Sequence, residues 1–130
     1  MATANTSAGI KVIIVGGVAG GASCAARLRR LDETAEIILV ERGPYVSYAN
    51  CGLPYYVGGL IPRESSLLVA DTRTFREQFA IDVRTNCEAI SISPVAKTVD
   101  LRNTVTGEVT SESYDKLVLS PGAEPVRPPI

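Results

Sequence analysis

The sequence predicts an α/β fold in which a parallel sheet and a crossover helix are followed by a β-meander. Lys11–Val15 and residues 36–41 are short apolar runs without polar alternation, which is typical of strands buried on both faces of a parallel sheet. Between them, small and apolar side chains recur at helical spacing over residues 20–32. The order strand, helix, strand predicts a βαβ unit with a right-handed crossover.

The remaining elements follow from turn residues and short apolar runs. Glycines and prolines interrupt residues 43–62, so this region is predicted to be mostly loop, with a short helix that begins near Cys51. Asp71 or Thr72 is predicted to cap a second helix that ends near Phe79. Strands of the meander are predicted at residues 82–84, 89–93, 98–102 and 108–113, and a last apolar strand at residues 114–120.

The composition argues against several classes of function. With 130 residues the chain has the size of one domain, and 13 basic against 14 acidic residues give a net charge of -1. No overall positive field would attract nucleic acid or an anionic membrane, so no partner of either kind is expected. The chain has no His, which removes imidazole catalysis and the commonest zinc ligand, and no metal site is expected.

The expected location is the cytoplasm. The opening residues lack the charged and apolar regions of a signal peptide, and no apolar run approaches the roughly 20 residues of a membrane span. The three cysteines, Cys24, Cys51 and Cys87, are widely spaced and form no CxxC motif. Such an arrangement suits a reducing compartment better than a disulfide scaffold.

A glycine-rich turn joins the first predicted strand to the helix. Such a turn lets a pyrophosphate approach the backbone, where amides at the helix N-terminus stabilise it. Glu41 follows Gly21 by twenty residues, the separation expected of a carboxylate that binds ribose hydroxyls. The pattern departs from GxGxxG because Val18 occupies the middle position. A βαβ turn without a ligand is the alternative, but the order of elements favours dinucleotide binding. The turn consists of Gly16, Gly17, Val18, Ala19, Gly20 and Gly21.

Cys51 is a candidate redox centre with a single cysteine. If a short helix starts there, its unpaired amides favour the thiolate, which is the form that attacks disulfides. The alternative is a buried structural cysteine, but the surrounding Gly, Pro, Asn and Tyr residues offer little core for it to join. Structural roles are expected instead for Cys24, on the apolar helix face, and for Cys87, near the start of a strand.

A second candidate site is a basic face on the first helix. Ser23, Arg27 and Arg30 fall at i, i+4 and i+7, so they share one face of the helix and could hold phosphates. Asp32 and Glu33 lie nearby. A solvated basic face without a ligand is the simpler interpretation from these residues alone.

Three ordered motifs resemble those of the pyridine nucleotide-disulfide oxidoreductases. They are residues 16–21, 47–55 and 114–123, and within the family the chain is most similar to the coenzyme A-disulfide reductase branch. That branch includes relatives that are fused to a rhodanese domain and act on persulfides. The resemblance implies an incomplete, Rossmann-like FAD/NAD(P)-binding domain with three layers. It divides the chain into a flexible segment (1–9), the N-terminal part of the FAD-binding domain (10–123) and a Pro-rich linker toward an NADH-binding domain (124–130).

The resemblance also implies which residues meet FAD. Glu41 would hold the adenosine ribose, and Arg42 and the backbone around Ala89 would face the adenosine half. The glycine turn would bind the pyrophosphate, and the turn after the last strand would pass near the dinucleotide. The latter turn consists of Ser120, Pro121 and Gly122.

For Cys51 the resemblance implies a mixed disulfide with a small thiol, reduced by NADH or NADPH through FAD. Members with two redox cysteines carry the second where this chain has Tyr56, so no internal disulfide is expected. Related peroxidases and oxidases carry a His where this chain has Ala19, which favours disulfide over peroxide chemistry. The matching substrate residues are Ser23, Arg27, Arg30, Ser47 and Asn50, which would line a channel for coenzyme A.

The expected function is that of a flavin-dependent oxidoreductase acting on coenzyme A disulfide or a persulfide. Phe79 stands where some relatives carry a basic residue that would meet coenzyme A. The full-length protein is expected to be a homodimer, and the chain alone is expected to be inactive. The alternatives are an NADH oxidase and a non-catalytic nucleotide-binding module.

Overall fold

The chain forms a parallel sheet, a smaller antiparallel sheet and helices, and the computed structural model describes residues 9–129. The first eight residues of the segment expected to be flexible lie outside the described part. No helix within residues 9–129 is long and apolar enough to cross a bilayer. In chain order the elements are β1 (Lys11–Val15), α1 (Ala19–Leu31), β2 (Glu36–Val40), α2 (Leu53–Val57), α3 (Thr72–Phe79), β3 (Asp82–Arg84), β4 (Cys87–Ser93), β5 (Thr98–Asn103), β6 (Val109–Ser113) and β7 (Lys116–Leu119).

The parallel sheet has the strand order β3-β2-β1-β7. β1 lies between β2 and β7 and is parallel to both. One prediction is corrected here, because residues 82–84 were assigned to the meander but pair with β2 in the parallel sheet, with Ile38 opposite Asp82. The intervening helix α3 carries the chain back, so that β3 runs in the same direction as β2. A strand of three residues has too little periodicity to reveal that in the sequence.

Side chains on the central strands alternate between two covered faces, which gives the predicted three layers. On one face, Val12 and Ile14 pack in a core that includes Ala25 of α1 and Phe75 of α3. On the opposite face, Ile13 packs in a second core, whose other buried members are Ile38, Val40, Val99 and Leu101. Because both faces are covered, β1 and β2 contain apolar residues in succession and not in alternation.

The antiparallel sheet has the order β4-β5-β6 and covers the second face as the predicted meander. β4 begins at Cys87, two residues before the predicted start, and its pairing with β5 shifts register between Ala89 and Ser91. The shift is a local irregularity that bends the strand. The predicted cap of α3 is confirmed as Asp71, whose side chain accepts a hydrogen bond from the Thr74 amide at 2.7 Å.

Arg29 joins the ends of α1 and α3. Its guanidinium donates to the carbonyl oxygens of Phe79 at 2.8 Å and Ala80 at 3.0 Å. It also donates to the carbonyls of Asp32 and Glu33, in the turn after α1. Four carbonyl oxygens at two helix ends therefore share one planar donor, which holds the two helices together on the same face of the sheet.

A half-buried carboxylate ties the two sheets together. Glu112 on β6 accepts from Lys11 of β1 at 2.8 Å and from Arg84 of β3 at 2.7 Å. Hydrogen bonds from Lys11 and Arg84 hold the pKa of Glu112 below its ordinary value of 4.5. The carboxylate therefore binds its proton less readily in the folded chain, and the pair of cations stabilises the fold while Glu112 is ionised.

We predict that Glu112→Gln lowers the free energy of unfolding by about 1–2 kcal/mol at neutral pH, because the half-buried cations lose a charged acceptor. Since the pKa of Glu112 is lowered by folding, its contribution is complete above pH 4.5 and is lost as the pH falls through the folded value. Urea unfolding at a series of pH values measures the difference. Glu77→Gln, in the exposed Arg73–Glu77 pair, is the control and should change little. A difference at Glu112 that persists in strong acid would contradict the assignment.

Candidate functional site

The candidate site lies where three parallel strands end. The glycine turn follows β1, Glu41 follows β2 and Ser120 follows β7. Since the carboxyl ends of parallel strands meet at one edge of a sheet, these three segments converge. Ligands of open α/β sheets bind in the crevice at that edge, so the fold favours a site there.

Two glycines in the turn have no room for a side chain. Gly16 has φ +98°, and a Cβ there would overlap the carbonyl oxygen of Ser120. A Cβ at Gly21 would overlap the carbonyl oxygen of Gly16 and crowd Ile14. Val18 has φ -94°, so the backbone does not need glycine at the middle position of the motif. The departure from GxGxxG is therefore compatible with the turn.

Glu41 fastens the turn through its carboxylate. Its Oε2 accepts a hydrogen bond from the Gly17 amide at 2.8 Å, and its Oε1 accepts one from the Gly43 amide at 2.7 Å. A Cβ at Gly17 would lie 3.0 Å from the Glu41 Cβ and 2.8 Å from Val46 Cγ1. The small residue therefore lets the carboxylate reach the backbone. An ionised carboxylate has about four acceptor positions, so two remain for ligand hydroxyls.

A cavity of about 400 Å³ is lined in part by Tyr45, Tyr48 and Leu53, and a second, of about 360 Å³, opens beside Glu41. The latter brings together several residues that the sequence analysis selected separately, namely Gly16, Glu41, Arg42, Ala89, Pro121 and Gly122. The same cavity is also lined by residues that the sequence did not predict for the site, namely Cys87, Glu88 and Glu124. Arg42 lies 3.9 Å from Glu88, which pairs with Arg102 at 2.6 Å. The one sequence feature that could have predicted Glu88 at this cavity is that it immediately precedes Ala89.

Backbone amides of the turn form the other side of the site. Helix α1 begins at Ala19 without a side-chain cap and without an acidic residue in its first turn. Gly20 lies close to Ser120, because a Cβ at Gly20 would be 3.3 Å from Ser120 Oγ. Amides at the start of a helix are unpaired within it and attract anions. The turn can therefore accommodate a phosphate group, and Glu41 has acceptor positions that hydroxyls could use.

Cys51 is exposed and lies in the middle of a 3₁₀ turn, Asn50–Gly52, that leads directly into α2. The predicted short helix near Cys51 is therefore present. Gly52 is buried, its amide donates to the Ala49 carbonyl at 2.9 Å, and a Cβ there would lie 2.7 Å from Leu67 Cδ2. Close packing of Gly52 against Leu67 thus fixes the 3₁₀ turn, while the Cys51 thiol stays accessible.

The segment from Gly43 to Gly52, here called the thiol loop, is joined to the glycine turn. The Ser47 amide donates to the Gly17 carbonyl at 2.8 Å. Ser47 itself has φ +52°. On the other side of the loop, the Val69 amide donates a hydrogen bond to the Ser47 carbonyl, and the Ala49 amide donates one to the Leu67 carbonyl. Cys51 therefore belongs to a loop that is fixed on both sides.

The residues selected for substrate binding occupy exposed or half-buried positions. Ser23, Arg27 and Arg30 are exposed on α1, Asn50 is exposed in the 3₁₀ turn, and Ser47 is half-buried. No acidic side chain within residues 9–129 forms an ion pair with Arg27 or Arg30, although Arg30 donates to the Ala26 carbonyl. Both guanidinium groups can therefore meet an anion, unlike that of Arg29.

The other two cysteines are half-buried. Cys24 packs against the core beneath α1, and Cys87 packs against the core beneath the meander. Burial raises the pKa of the Cys87 thiol, which disfavours the reactive thiolate. Among residues 9–129 no group of three or more His, Cys, Asp or Glu could hold a metal ion. Cys51 is thus the thiol that reagents reach first.

Comparison with known proteins identifies relatives along nearly the whole chain. Residues 10–130 match the family described as pyridine nucleotide-disulphide oxidoreductase. The chain is 45% identical over 113 residues to a coenzyme A disulfide reductase of Staphylococcus haemolyticus, covering 87% of this chain and 26% of that protein. The chain thus spans about a quarter of that relative's length.

Two solved structures share the fold closely. One is the reduced CoADR-RHD of Bacillus anthracis, with a TM-score of 0.91 and 52% identity over 94% of this chain and 22% of the other. The second is a NAD-dependent persulfide reductase from A. fulgidus, with a TM-score of 0.88 and 42% identity over 93% of this chain and 22% of the other. Each likeness covers more than nine tenths of this chain.

We predict that Gly16→Ala lowers the free energy of unfolding by about 2–4 kcal/mol, because the added Cβ combines backbone strain with an overlap at the Ser120 carbonyl. Gly107→Ala is the matched control. Gly107 has φ +78° but nothing within 4 Å of a Cβ, so that variant isolates the strain and should cost about 1 kcal/mol. Denaturant unfolding measures both values. If both variants lose the same free energy of unfolding, the overlap with the Ser120 carbonyl does not contribute to the cost of Gly16→Ala.

Proposed function

Because the chain belongs to the pyridine nucleotide-disulphide oxidoreductase family, we propose that it binds FAD and carries electrons from NAD(P)H to a small disulfide through Cys51. Residues 10–123 would be the N-terminal part of the FAD-binding domain. The substrate we propose is coenzyme A disulfide, in line with the relative that is 45% identical. The observation that carries the proposal is the convergence of the glycine turn, Glu41 and the thiol loop at one edge of the sheet.

The residues at this edge fit a dinucleotide. Gly16, Gly17 and Gly21 pack so closely against the surrounding chain that none has room for a Cβ, which keeps the first turn of α1 at the edge of the sheet. The amides of that turn can meet a pyrophosphate there. Glu41 retains acceptor positions for ribose hydroxyls beside the cavity of about 360 Å³. When bound, FAD would supply a two-electron carrier between the nicotinamide and the thiol chemistry. Arg42 and Ala89 would face its adenosine half.

Cys51 would perform the exchange with substrate. Its thiolate attacks one sulfur of the substrate disulfide, so that a Cys51–substrate S–S bond forms while the original S–S bond breaks. The released thiolate takes a proton from solvent. Two electrons and a proton then cleave the mixed disulfide, which returns the Cys51 thiolate and releases the second thiol. The exposure of Cys51 supports this role, because the reaction needs access along the S–S axis.

Arg27 and Arg30 would attract the phosphates of coenzyme A. Both are exposed on α1, and neither forms an ion pair with the acidic residues of the described chain. Guanidinium groups bind phosphate through planar, charge-assisted hydrogen bonds. Ser23, Ser47 and Asn50 would add polar contacts along the path to Cys51. Phe79 is half-buried against the core and supplies no charge.

A persulfide is the second candidate substrate. The likeness to a persulfide reductase, at 42% identity, supports it. Both candidates use the same exposed thiol and differ in the group attached to the attacked sulfur. An NADH oxidase receives less support, because the Ala19 methyl group at the turn offers no proton donor or acceptor for oxygen chemistry.

We predict that coenzyme A disulfide modifies the chain at Cys51 with the mass of one coenzyme A, because that thiol is exposed. Intact-mass measurement and peptide mapping after anaerobic incubation test this. Cys51→Ser should abolish the adduct, whereas Cys87→Ser, which removes a half-buried thiol, should leave it unchanged. An adduct distributed evenly over the three cysteines would overturn the role of Cys51.

We predict that Arg27→Ala and Arg30→Ala each slow formation of this adduct about two- to fivefold, the effect of one solvent-exposed ion pair. The difference should shrink at high salt. Arg102→Ala, on the opposite layer, is the control. A second control is 2-hydroxyethyl disulfide, which has no phosphate and should react with all variants at the same rate. If the neutral disulfide is slowed equally, the arginines act through the structure of α1 and not through the anion.

A further inference from the structure

Glu41 connects four parts of the chain, which is more than ribose binding requires. Its carboxylate accepts from the Gly17 amide at 2.8 Å and from the Gly43 amide at 2.7 Å. Its backbone amide donates to Arg84 at 2.9 Å, and its carbonyl accepts from Cys87 at 2.9 Å. The glycine turn and the thiol loop therefore meet on one side chain, whose own backbone is held by the chain between β3 and β4.

A series of hydrogen bonds, joined by short stretches of backbone, leads from this carboxylate to the turn that carries Cys51. Gly17, which donates to Oε2, accepts from the Ser47 amide at its carbonyl. Ser47 in turn accepts from Val69 at 2.9 Å, and Ala49 donates to Leu67 at 2.7 Å. The carbonyl of Ala49 accepts from Gly52, next to Cys51, at 2.9 Å. Gly17, Ser47 and Ala49 thus each use one backbone group toward Glu41 and another toward the thiol.

We propose that Glu41 is a positioning residue for the thiol loop as well as a ligand for ribose. The carboxylate holds Gly17 in place, Gly17 holds Ser47, and Ser47 with Ala49 fixes the 3₁₀ turn that carries Cys51. A hydroxyl ligand at the two remaining acceptor positions of Glu41 would restrain the same carboxylate further. Occupation of the ribose end would therefore reduce the motion of the thiol. This last step rests on the proposed function, whereas the positioning role does not.

The first experiment needs no nucleotide. In Glu41→Gln one oxygen becomes an NH₂ group that faces a backbone donor, so one of the two hydrogen bonds is lost. We expect amide hydrogen exchange at Ser47, Ala49 and Gly52 to accelerate about tenfold or more, the effect of losing a charge-assisted hydrogen bond. The amides of β1 should be unchanged. Amide resonances of Cys51 and Gly52 in the NMR spectrum should shift as well, although neither residue contacts Glu41.

Asp32→Asn is the matched control. In the turn after α1, the Asp32 carboxylate accepts hydrogen bonds from the Thr34 amide at 2.8 Å and from the Ala35 amide at 3.1 Å. Its loss should accelerate exchange at those two amides and leave Ser47 and Gly52 unaffected. Acceleration that stays confined to Gly17 and Gly43 in Glu41→Gln, with Ser47 and Gly52 unchanged, would overturn the positioning role.

Two further measurements test the positioning role even if Glu41→Gln fails to fold. Glu41→Asp keeps the charge and both oxygens but retracts them by one methylene, and it should accelerate the same amides. In the unmutated chain, exchange at low denaturant concentrations gives an opening free energy for each amide. Gly17, Gly43, Ser47 and Val69 should then share one opening event. Independent openings for the glycine turn and the thiol loop would refute the proposal without any mutation.

ADP, which contains the ribose and pyrophosphate of the dinucleotide, separates this inference from the proposed function. In the unmutated chain ADP should slow exchange at Ser47 and Gly52, and Glu41→Gln should abolish that effect. If ADP binds without slowing exchange, nucleotide binding stands and the coupling to the thiol loop fails. If ADP does not bind while the exchange results without nucleotide hold, the positioning role stands and the nucleotide site fails.

Discussion

The close approach of the β1–α1 turn to the strand ends around it is the constraint on which the rest of the site depends. Gly16 touches the backbone of Ser120, and Gly21 touches the backbone of Gly16. With any side chain at these two positions, the helix could not start where it does. The first turn of α1 would then move away from the edge of the sheet, and Glu41 would no longer reach the Gly17 amide. The lack of space for a side chain at Gly16 and Gly21 thus fixes the position of the α1 amides relative to the Glu41 carboxylate.

The site has two sides with opposite preferences, although the chain as a whole is nearly neutral. Glu41, Glu88, Glu124 and Arg42 line one cavity, in which Glu88 pairs with Arg42 and Arg102. Glu41 forms no such ion pair among the described residues, and its remaining acceptor positions can receive hydrogen bonds from hydroxyl groups. The amides of the glycine turn attract phosphates at the other side. Under the proposed function, a ligand that carries both a sugar and a pyrophosphate would be oriented by these groups alone. Such local groups would do so without a field from the whole protein.

The sequence predicted those elements whose signals are local. β1 and β2 are continuous apolar runs, and Asp71 caps α3 because a carboxylate precedes a helical pattern. β3 was assigned to the wrong sheet, since three residues reveal no periodicity and only the return of α3 decides their partner. Gly43 and Glu88 were missed because their roles arise from tertiary contacts and not from spacing. The roles of the site residues in binding and catalysis remain predictions.

Helix α1 carries two kinds of arginine within one helical turn, one structural and two exposed. The Arg29 guanidinium is committed to the carbonyls of Phe79, Ala80 and the turn after α1, so its charge serves the architecture. Arg27 and Arg30, by contrast, reach outward from α1. For protein engineering, this divides the helix into a fixed position and two adjustable ones. If Arg27 and Arg30 bind the phosphates of a thiol substrate as proposed, changes in substrate preference would start at positions 27 and 30, with position 29 left unchanged.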